Sequence, residues 1–376
     1  MNRVFWIDSI RVISALFVIA IHVCGRVAGG YAVDNSGDLS ETLGYMVAQC
    51  IQYTCSSVCI PLFIMVSGAL LLGRNEEVIP FYRKRFGKIL LPFVGWSCIF
   101  SLCIWLGGGG LKGGTPVTLI NSIGAFISGH ISGHFWFMYM LIALYLVAPF
   151  LSVFVRNASK NMQTCFLVLW IFATALFPVI NRIATETLGI TEIYFCSFQF
   201  DFVALWIGFF IAGFILKDYV IPKWLAMLGI VLLLGCSMAL PVSLYVQKVC
   251  PESSMIFFVS FMSKYVLAII SHKVTLSLIA FFTLRSLGDL PALASSYYGR
   301  VVVATAPLTF GIYLCHHLIL VPVMGIFDQL FGLGSCESGL IVLFAVPALS
   351  IFFYFVAAGV IYVIRLNRYL QALLAP

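Results

Sequence analysis

The chain has 376 residues, of which 62% are hydrophobic and only 9% are charged, and its formal net charge is +7. Soluble domains carry about 25% charged residues, so this composition excludes a soluble globular protein. The positive charge does not indicate a nucleic-acid partner, because the basic residues fall almost entirely in short connections between apolar runs. Basic residues in such connections set the orientation of the chain in a membrane, which explains their positions. We therefore expect membrane lipids, and no nucleic acid, around this protein.

Ten apolar runs are candidates for membrane-spanning helices, each of which needs about 20 predominantly apolar residues. The runs are 9–29, 46–73, 87–107, 134–155, 163–182, 198–217, 223–245, 266–287, 302–327 and 338–365. The first is interpreted as an uncleaved helix, because no small-residue cleavage site follows it. The stretch before the eighth run contains Lys264, and residues 246–265 are expected to form an outer loop. The sequence predicts an all-α fold, a polytopic membrane bundle of about ten helices in a single domain over residues 1–376.

The distribution of the basic residues predicts that both termini are cytoplasmic. With the N-terminus inside, the inner connections hold Arg3, Arg74, Arg83, Lys84, Arg85, Lys88, Arg156, Lys160, Lys217, Lys223, Arg285, Arg300, Arg365 and Arg368. The outer connections hold only Arg26, Lys112, Arg182 and Lys248. Cytoplasmic loops carry the excess of Lys and Arg in membrane proteins. We expect a multi-pass protein of the inner (plasma) membrane, with residues 107–133 and 183–197 outside and residues 74–86 and 288–301 inside.

The cysteines and histidines give no metal-binding pattern. Most of the 12 cysteines lie inside apolar runs, where cysteine behaves as a small hydrophobic residue. No pair has the CxxC spacing of a metal or redox site, and His130 and His134 lack a nearby Cys, Asp or Glu. We expect no metal and no permanently bound cofactor. Cys196, Cys250 and Cys336 fall in predicted outer loops, where a disulfide among them is left open.

Two polar residues in the first run, Arg11 and His22, lie on one face of the predicted helix. Eleven positions at about 100° each amount to three turns plus roughly 20°, and the two residues are about 16 Å apart along the axis. A charged group inside hydrocarbon costs about 2.5–3.5 kcal/mol, so such residues usually face a cavity or a partner. Two other interpretations stay open: Arg11 reaching the headgroups beside Asp8, and His22 packing as a neutral ring.

Five stretches, in order along the chain, resemble the membrane acyltransferase-3 family. They are the R-x10-H pattern of Arg11 and His22, IPLFIMVSGALLL at 60–72, FYRKRFGKILLPF at 81–93, HFWFMYMLIALYLVAPFL at 134–151 and LTFGIYLCHHLI at 308–319. The chain departs from the family in two places. Lys88 replaces the second arginine of an R-x-x-R motif that begins at Arg85, and Thr309 replaces a serine. Lysine keeps the charge but loses the bidentate geometry toward phosphate, so the donor affinity or the choice of donor is open.

The resemblance implies an O-acyltransferase that takes its acyl group from a cytoplasmic acyl-CoA. The chain looks most like short members without an SGNH domain, which O-acetylate bacterial surface polysaccharides. The expected reaction therefore moves an acetyl group from acetyl-CoA, as donor substrate, to a hydroxyl of a lipid-linked or surface polysaccharide sugar, of the O-antigen, common-antigen or exopolysaccharide type. Two alternatives remain: an exporter of a small molecule or modified polysaccharide, and the same chemistry with succinyl-CoA or another acyl-CoA.

The expected roles of the residues follow from that reaction. His22 is the candidate catalytic base, because histidine accepts protons near neutral pH. Arg11 is the second candidate catalytic residue. The candidate donor-binding residues, whose charges suit the phosphates of coenzyme A, are Arg11, Arg83, Arg85 and Lys88. The candidate acceptor-binding residues are His134, Trp136, Tyr139, Tyr145 and His316. Membrane anchoring explains the basic residues equally well, and an interfacial aromatic belt explains the aromatic ones.

Overall fold

A computed structural model describes residues 4–27, 42–111, 114–177, 201–235 and 272–375, without the side chains of residues 201–204. Within these ranges the chain forms helices and no β-strand. The helices are α1 (Phe5–Cys24), α2 (Leu43–Leu71), α3 (Val78–Leu106), α4 (Leu119–Ile127), α5 (Trp136–Asn157), α6 (Lys160–Ile171), α7 (Asp201–Leu216), α8 (Lys223–Gly235), α9 (Lys273–Leu287), α10 (Pro291–Ser295), α11 (Tyr297–Thr305), α12 (Thr309–Phe331), α13 (Gly339–Leu366) and α14 (Arg368–Leu374). A short 3-10 turn, Gly133–Phe135, precedes α5.

Six helices in the described part of the chain are long and apolar enough to cross a membrane. They are Phe5–Cys24, Leu43–Leu71, Val78–Leu106, Gly133–Asn157, Tyr297–Phe331 and Gly339–Leu366, and each overlaps a predicted span. Three shorter apolar helices, Lys160–Leu176, Leu205–Leu216 and Lys223–Gly235, occupy parts of the fifth, sixth and seventh predicted spans. The all-α membrane bundle is confirmed. The number of ten spans stays a prediction, because the missing parts of the fifth to eighth spans lie outside the described residues.

Several helices extend beyond the predicted apolar runs. Helix α3 begins at Val78, so the basic segment predicted as a connection forms its first turns. Arginine and lysine are good helix formers, which lets the helix continue past the apolar stretch. The outer loops predicted at 183–197 and 246–265, with Cys196 and Cys250, lie outside the described residues. Cys336 is a free, half-buried thiol.

Helix α1 lies at the centre of the bundle. It packs against α2, α9, α11, α12 and α13, and apolar residues around its circumference, such as Ile10, Ile19 and Val23, are fully or almost fully buried. A helix that is apolar on all sides is buried in the core of a bundle. The polar residues of α1 therefore project into the interior of the protein.

Two glycines bring α2 and α7 into close contact. A Cβ added to Gly68 would lie 1.8 Å from the carbonyl oxygen of Phe210, and one added to Gly213 would lie 2.0 Å from that of Met65. Small residues allow helix backbones to approach closely where lipid provides no hydrophobic drive for association. This contact fixes the end of α2 that carries Ser67 and leads to Arg74.

Residues from several connections predicted to be cytoplasmic meet near the N-terminal end of α1. Arg285 donates a hydrogen bond to the carbonyl oxygen of Lys217 at 2.6 Å, and its guanidinium lies 5.0 Å from the centre of the Trp6 ring. Arg156 donates a hydrogen bond to the side chain of Asn75 at 2.6 Å. The structure thus joins basic connections in agreement with the charge pattern. The side of the membrane that they face stays a prediction.

Candidate active site

A cavity of about 350 Å³ lies beside the N-terminal half of α1. We call it the basic cavity, because its lining contains five cationic side chains and one acidic one. These are Arg11, Arg74, Lys84, Arg85 and Lys88, with Asp8. Helix α1, the end of α2 and the first turns of α3 supply them, so the early start of α3 builds this cavity.

Two carboxylates neutralise only part of the charge around the basic cavity. Glu76, in the connection between α2 and α3, accepts a hydrogen bond from Lys84 at 3.2 Å and pairs with Arg85 at 3.7 Å. Desolvation acts against its charge, but the hydrogen bond from Lys84 and the nearby arginines outweigh it and hold the pKa of Glu76 below its ordinary value. Asp8 lies 3.8 Å from the guanidinium of Arg11. The Nε and Nη2 atoms of Arg85 are buried and make no hydrogen bond.

A second cavity, of about 280 Å³, adjoins the basic cavity. We call it the deep cavity. The two cavities share Arg11, Ser67, Lys88 and Tyr145. The rest of the deep cavity's lining is mainly apolar: Phe63, Ile89, Phe137, Leu141, Ala306, Pro307, Thr309, Phe310 and Tyr313. An elongated ligand with an anionic end and a slender, less polar arm would match this pair of cavities.

Tyr313 connects the deep cavity to a group of histidines. Its hydroxyl donates a hydrogen bond to the backbone carbonyl of His134, and both groups are buried. The centre of its ring lies 5.8 Å from that of His134 and 6.0 Å from that of His316. Contacts therefore run from the lining of the deep cavity directly to these imidazoles.

Four imidazoles form what we call the histidine cluster: His22 of α1, His134 of the turn before α5, and His316 and His317 of α12. The ring centre of His22 lies 5.2 Å from that of His316, 5.0 Å from that of His317 and 6.3 Å from that of His134. The ring of His134 lies 5.0 Å from His316 and is stacked on His317 at 5.2 Å. His22 thus contacts all three of the other rings.

The hydrogen bonds of the cluster leave two ring nitrogens unpaired. The Nδ1 atom of His316 lies 2.7 Å from the carbonyl oxygen of Tyr313. A carbonyl only accepts, so Nδ1 carries the proton in the neutral ring and Nε2 carries a lone pair. The Nδ1 atom of His134 lies 2.8 Å from the hydroxyl of Ser132. The Nε2 atoms of His134 and His316 are buried without a hydrogen-bond partner, and buried polar atoms of this kind call for an explanation.

The described residues contain no group of three or more His, Cys, Asp or Glu side chains placed to hold a metal ion. The chemistry that the histidine cluster offers by itself is proton transfer and hydrogen bonding. An imidazole can hold or release one proton. The hydrogen bond made by one of its ring nitrogens determines at which nitrogen this happens.

The structure brings most of the predicted donor-side residues together. Arg11, Arg85 and Lys88 line the basic cavity, and Arg11 also lines the deep cavity. Arg83 is exposed and is not among the residues that line either cavity. It lies about 200° around the helix from Arg85, so it points away from the site.

The predicted acceptor-side residues separate into two groups. His134 and His316 join His22 in the histidine cluster. Tyr145 instead lines both cavities beside Arg11 and Lys88, which differs from the acceptor-side position expected for it.

Trp136 and Tyr139 lie apart from the two cavities described. Trp136 is 42% exposed, and its ring lies 5.8 Å from that of Trp206. Tyr139 donates a hydrogen bond to the carbonyl oxygen of Phe126 and packs against Phe93. These contacts give Tyr139 a packing role between α3, α4 and α5.

Among the residues of the site that were missed from the sequence are Ser67, Arg74, Tyr313 and His317. A signal for two of them was present. Tyr313, His316 and His317 have i, i+3 and i, i+4 spacing, which places them together on one face of a helix. The stretch that carried the family resemblance, 308–319, contains both histidines, but only His316 was taken as a candidate. Arg74 was counted only as a topological charge.

A family model described as an acyltransferase domain matches residues 4–366 of the chain. No curated protein and no solved structure matches the chain. The matched range includes all four histidines of the cluster and every residue that lines the two cavities.

Proposed function

Because the chain belongs to the acyltransferase-3 family and is a membrane acyltransferase, we propose that it transfers an acetyl group from acetyl-CoA to a sugar hydroxyl. The acceptor in this proposal is a lipid-linked or surface polysaccharide, and the protein lies in the inner membrane. One observation carries the proposal. A cavity lined by five cations adjoins a smaller, mainly apolar cavity whose lining contacts a cluster of four histidines.

The basic cavity suits the phosphate groups of a coenzyme A donor. Hydrogen bonds between charged groups are shorter and roughly twice as strong as neutral ones. The Nε atom of Arg85 is buried without a hydrogen bond, and its Nη2 atom lies 3.7 Å from Glu76, so a bound phosphate would supply hydrogen bonds that the protein itself does not. In the topology predicted from the positive-inside rule, this cavity faces the cytoplasm, where acyl-CoA is made.

The deep cavity suits the pantetheine arm of the same donor. With the phosphates in the basic cavity, the arm would pass Lys88 and Tyr145, which line both cavities. The thioester would then reach Tyr313, which contacts His134 and His316. This arrangement gives Arg11 and His22, at two ends of α1, separate tasks on one substrate pair.

Proton transfer at His22 completes the reaction. The acceptor hydroxyl gives its proton to a ring nitrogen of His22, and its oxygen attacks the carbonyl carbon of the thioester. The carbon–sulfur bond breaks, and the thiolate of coenzyme A takes the proton back. The products are the ester and free coenzyme A, so the step needs no further reactant. A positioned acid–base group of this kind contributes about 10²–10⁴-fold in rate.

Purified protein in detergent or nanodiscs tests this proposal through the release of free thiol from acetyl-CoA. Release that depends on an added polysaccharide acceptor, with one acetyl mass added to the product, is the expected result. Release of free thiol from succinyl-CoA but not from acetyl-CoA would change the donor in this proposal and leave the reaction type unchanged. Movement of a polysaccharide or small molecule across the membrane without loss of thioester would contradict the proposed reaction and support the exporter alternative.

A further inference from the structure

The histidine cluster divides into a buried pair and a half-exposed pair. His134 and His316 are only 6% and 1% exposed, whereas His22 and His317 are half-buried. The buried pair contacts Tyr313, which lines the deep cavity. Among the described residues that line the two cavities, neither His22 nor His317 appears. His22 and His317 thus lie beyond the lining of the two donor-side cavities.

Arg26 marks the side on which this half-exposed pair lies. It follows the C-terminal end of α1, one helical turn beyond His22, and is exposed. Arg11, which lines both cavities, lies on the same helix at the opposite end. Donor and acceptor can thus approach the cluster from opposite ends of α1.

We propose that His317 binds the sugar acceptor by a hydroxyl adjacent to the one that reacts at His22. This inference rests on the proposed function and deepens it, since it assigns an acceptor class: a sugar with two neighbouring free hydroxyls. The ring centres of His22 and His317 are 5.0 Å apart at 76° to each other, so two neighbouring hydroxyls can each meet one ring. An imidazole offers one donor and one acceptor, which matches a hydroxyl group.

The position of His317 on α12 explains why it can bind the sugar acceptor together with His22. His316 and His317 lie three and four residues after Tyr313, so they flank one face of the helix. His316 is held by its hydrogen bond to the Tyr313 carbonyl, and His317 is the half-buried one of the two. The buried histidine stays on the donor side of the cluster, and its neighbour in sequence faces the acceptor.

Transfer to simple sugars tests the role of His317. Thiol release from acetyl-CoA is measured with methyl pyranosides, with their monodeoxy analogues, and with water alone as acceptor. The wild-type protein should prefer a parent pyranoside to the analogue that lacks the adjacent hydroxyl by about ten-fold, the worth of one hydrogen bond. His317→Ala should lose that preference. His317→Gln, which still hydrogen-bonds, should retain most of the preference.

A binding measurement separates the failure of this inference from the failure of the proposed function. Saturation-transfer NMR of the same methyl pyranosides needs no acyl donor. Signal transfer from wild-type protein, lost in His317→Ala and kept in His317→Gln, supports the assignment even if neither acetyl-CoA nor succinyl-CoA is consumed. His130→Ala is the matched control, because His130 is exposed and bonds to Ser128 outside the cluster. Unchanged signal or unchanged hydroxyl preference in His317→Ala overturns the inference.

Discussion

The hydroxyl of Tyr313 donates a hydrogen bond to the backbone carbonyl of His134, and this bond joins α12 to the turn before α5 inside the candidate active site. The same tyrosine lines the deep cavity. One side chain therefore forms part of the wall beside the donor arm and also fixes a backbone segment that carries a histidine of the cluster.

Replacing Tyr313 by Phe removes this hydrogen bond and keeps the ring. The buried carbonyl of His134 then loses its partner, so the free energy of unfolding should fall by about 1–3 kcal/mol. Thermal unfolding of the purified variant measures that loss. The rate of transfer at saturating acetyl-CoA should also fall, because the turn that holds His134 is less constrained. Full activity with lowered stability would limit Tyr313 to a structural role.

Replacing His22 tests the acid–base step directly. His22→Ala and His22→Gln should both reach normal levels in the membrane and both lose about 10²–10⁴-fold in rate. Glutamine forms hydrogen bonds but cannot accept the proton, so it should not restore activity. His130→Ala, an exposed histidine outside the cluster, should behave as wild type. An active His22→Gln protein would contradict the mechanism, whatever the family.

Donor binding is tested by Arg85→Ala and Lys88→Ala, with Arg83→Ala as the matched control. Each charged hydrogen bond is typically worth about 1.5–3 kcal/mol, so the KM for acetyl-CoA should rise about ten-fold or more in the first two variants. Arg83 is exposed and does not line a cavity, and its variant should keep the wild-type KM. Lys88→Arg should bind the donor as well or better. Equal values for all three alanine variants would leave these residues as topological anchors.

Glu76 competes with the donor phosphates for Lys84 and Arg85, to which it is paired at 3.2 and 3.7 Å. We expect Glu76→Gln to lower the KM for acetyl-CoA several-fold and leave the maximal rate unchanged, because both cations become available. Steady-state kinetics at low and moderate salt measure the effect, which should shrink as salt screens the charges. A raised KM would instead mean that Glu76 orients Arg85 for the phosphate.

Labelling of single cysteines, on a background without the native ones, tests the orientation of the bundle. Leu119 lies in α4 and is 77% exposed. A cysteine at this position, Leu119→Cys, should react with a membrane-impermeant reagent from outside the cell. Arg83→Cys should react only after the membrane is opened. The reverse pattern would invert the topology and would place the basic cavity on the side without acyl-CoA.

Length and hydropathy were sufficient to predict the membrane bundle, and the period of a helix was sufficient to predict that Arg11 and His22 lie on one face of α1. Both follow from local rules, namely the thickness of the bilayer and the period of a helix. The position of Tyr145 beside Arg11, and the meeting of His22 with His317, depend on which helices are neighbours. Periodicity within one helix carries no information about that choice, so His317 and Arg74 were found only in the folded structure.

The central position of α1 has a consequence for the order of biosynthesis. Helix α1 leaves the ribosome before α12 and α13, against which it packs. Until those helices arrive, Arg11 and His22 belong to a segment whose final neighbours do not yet exist. A nascent chain that stops before α12 lacks His316 and His317 as well as the wall that encloses α1. Assembly of the candidate active site is therefore completed only when α1 and α12, which are far apart in sequence, meet inside the bilayer.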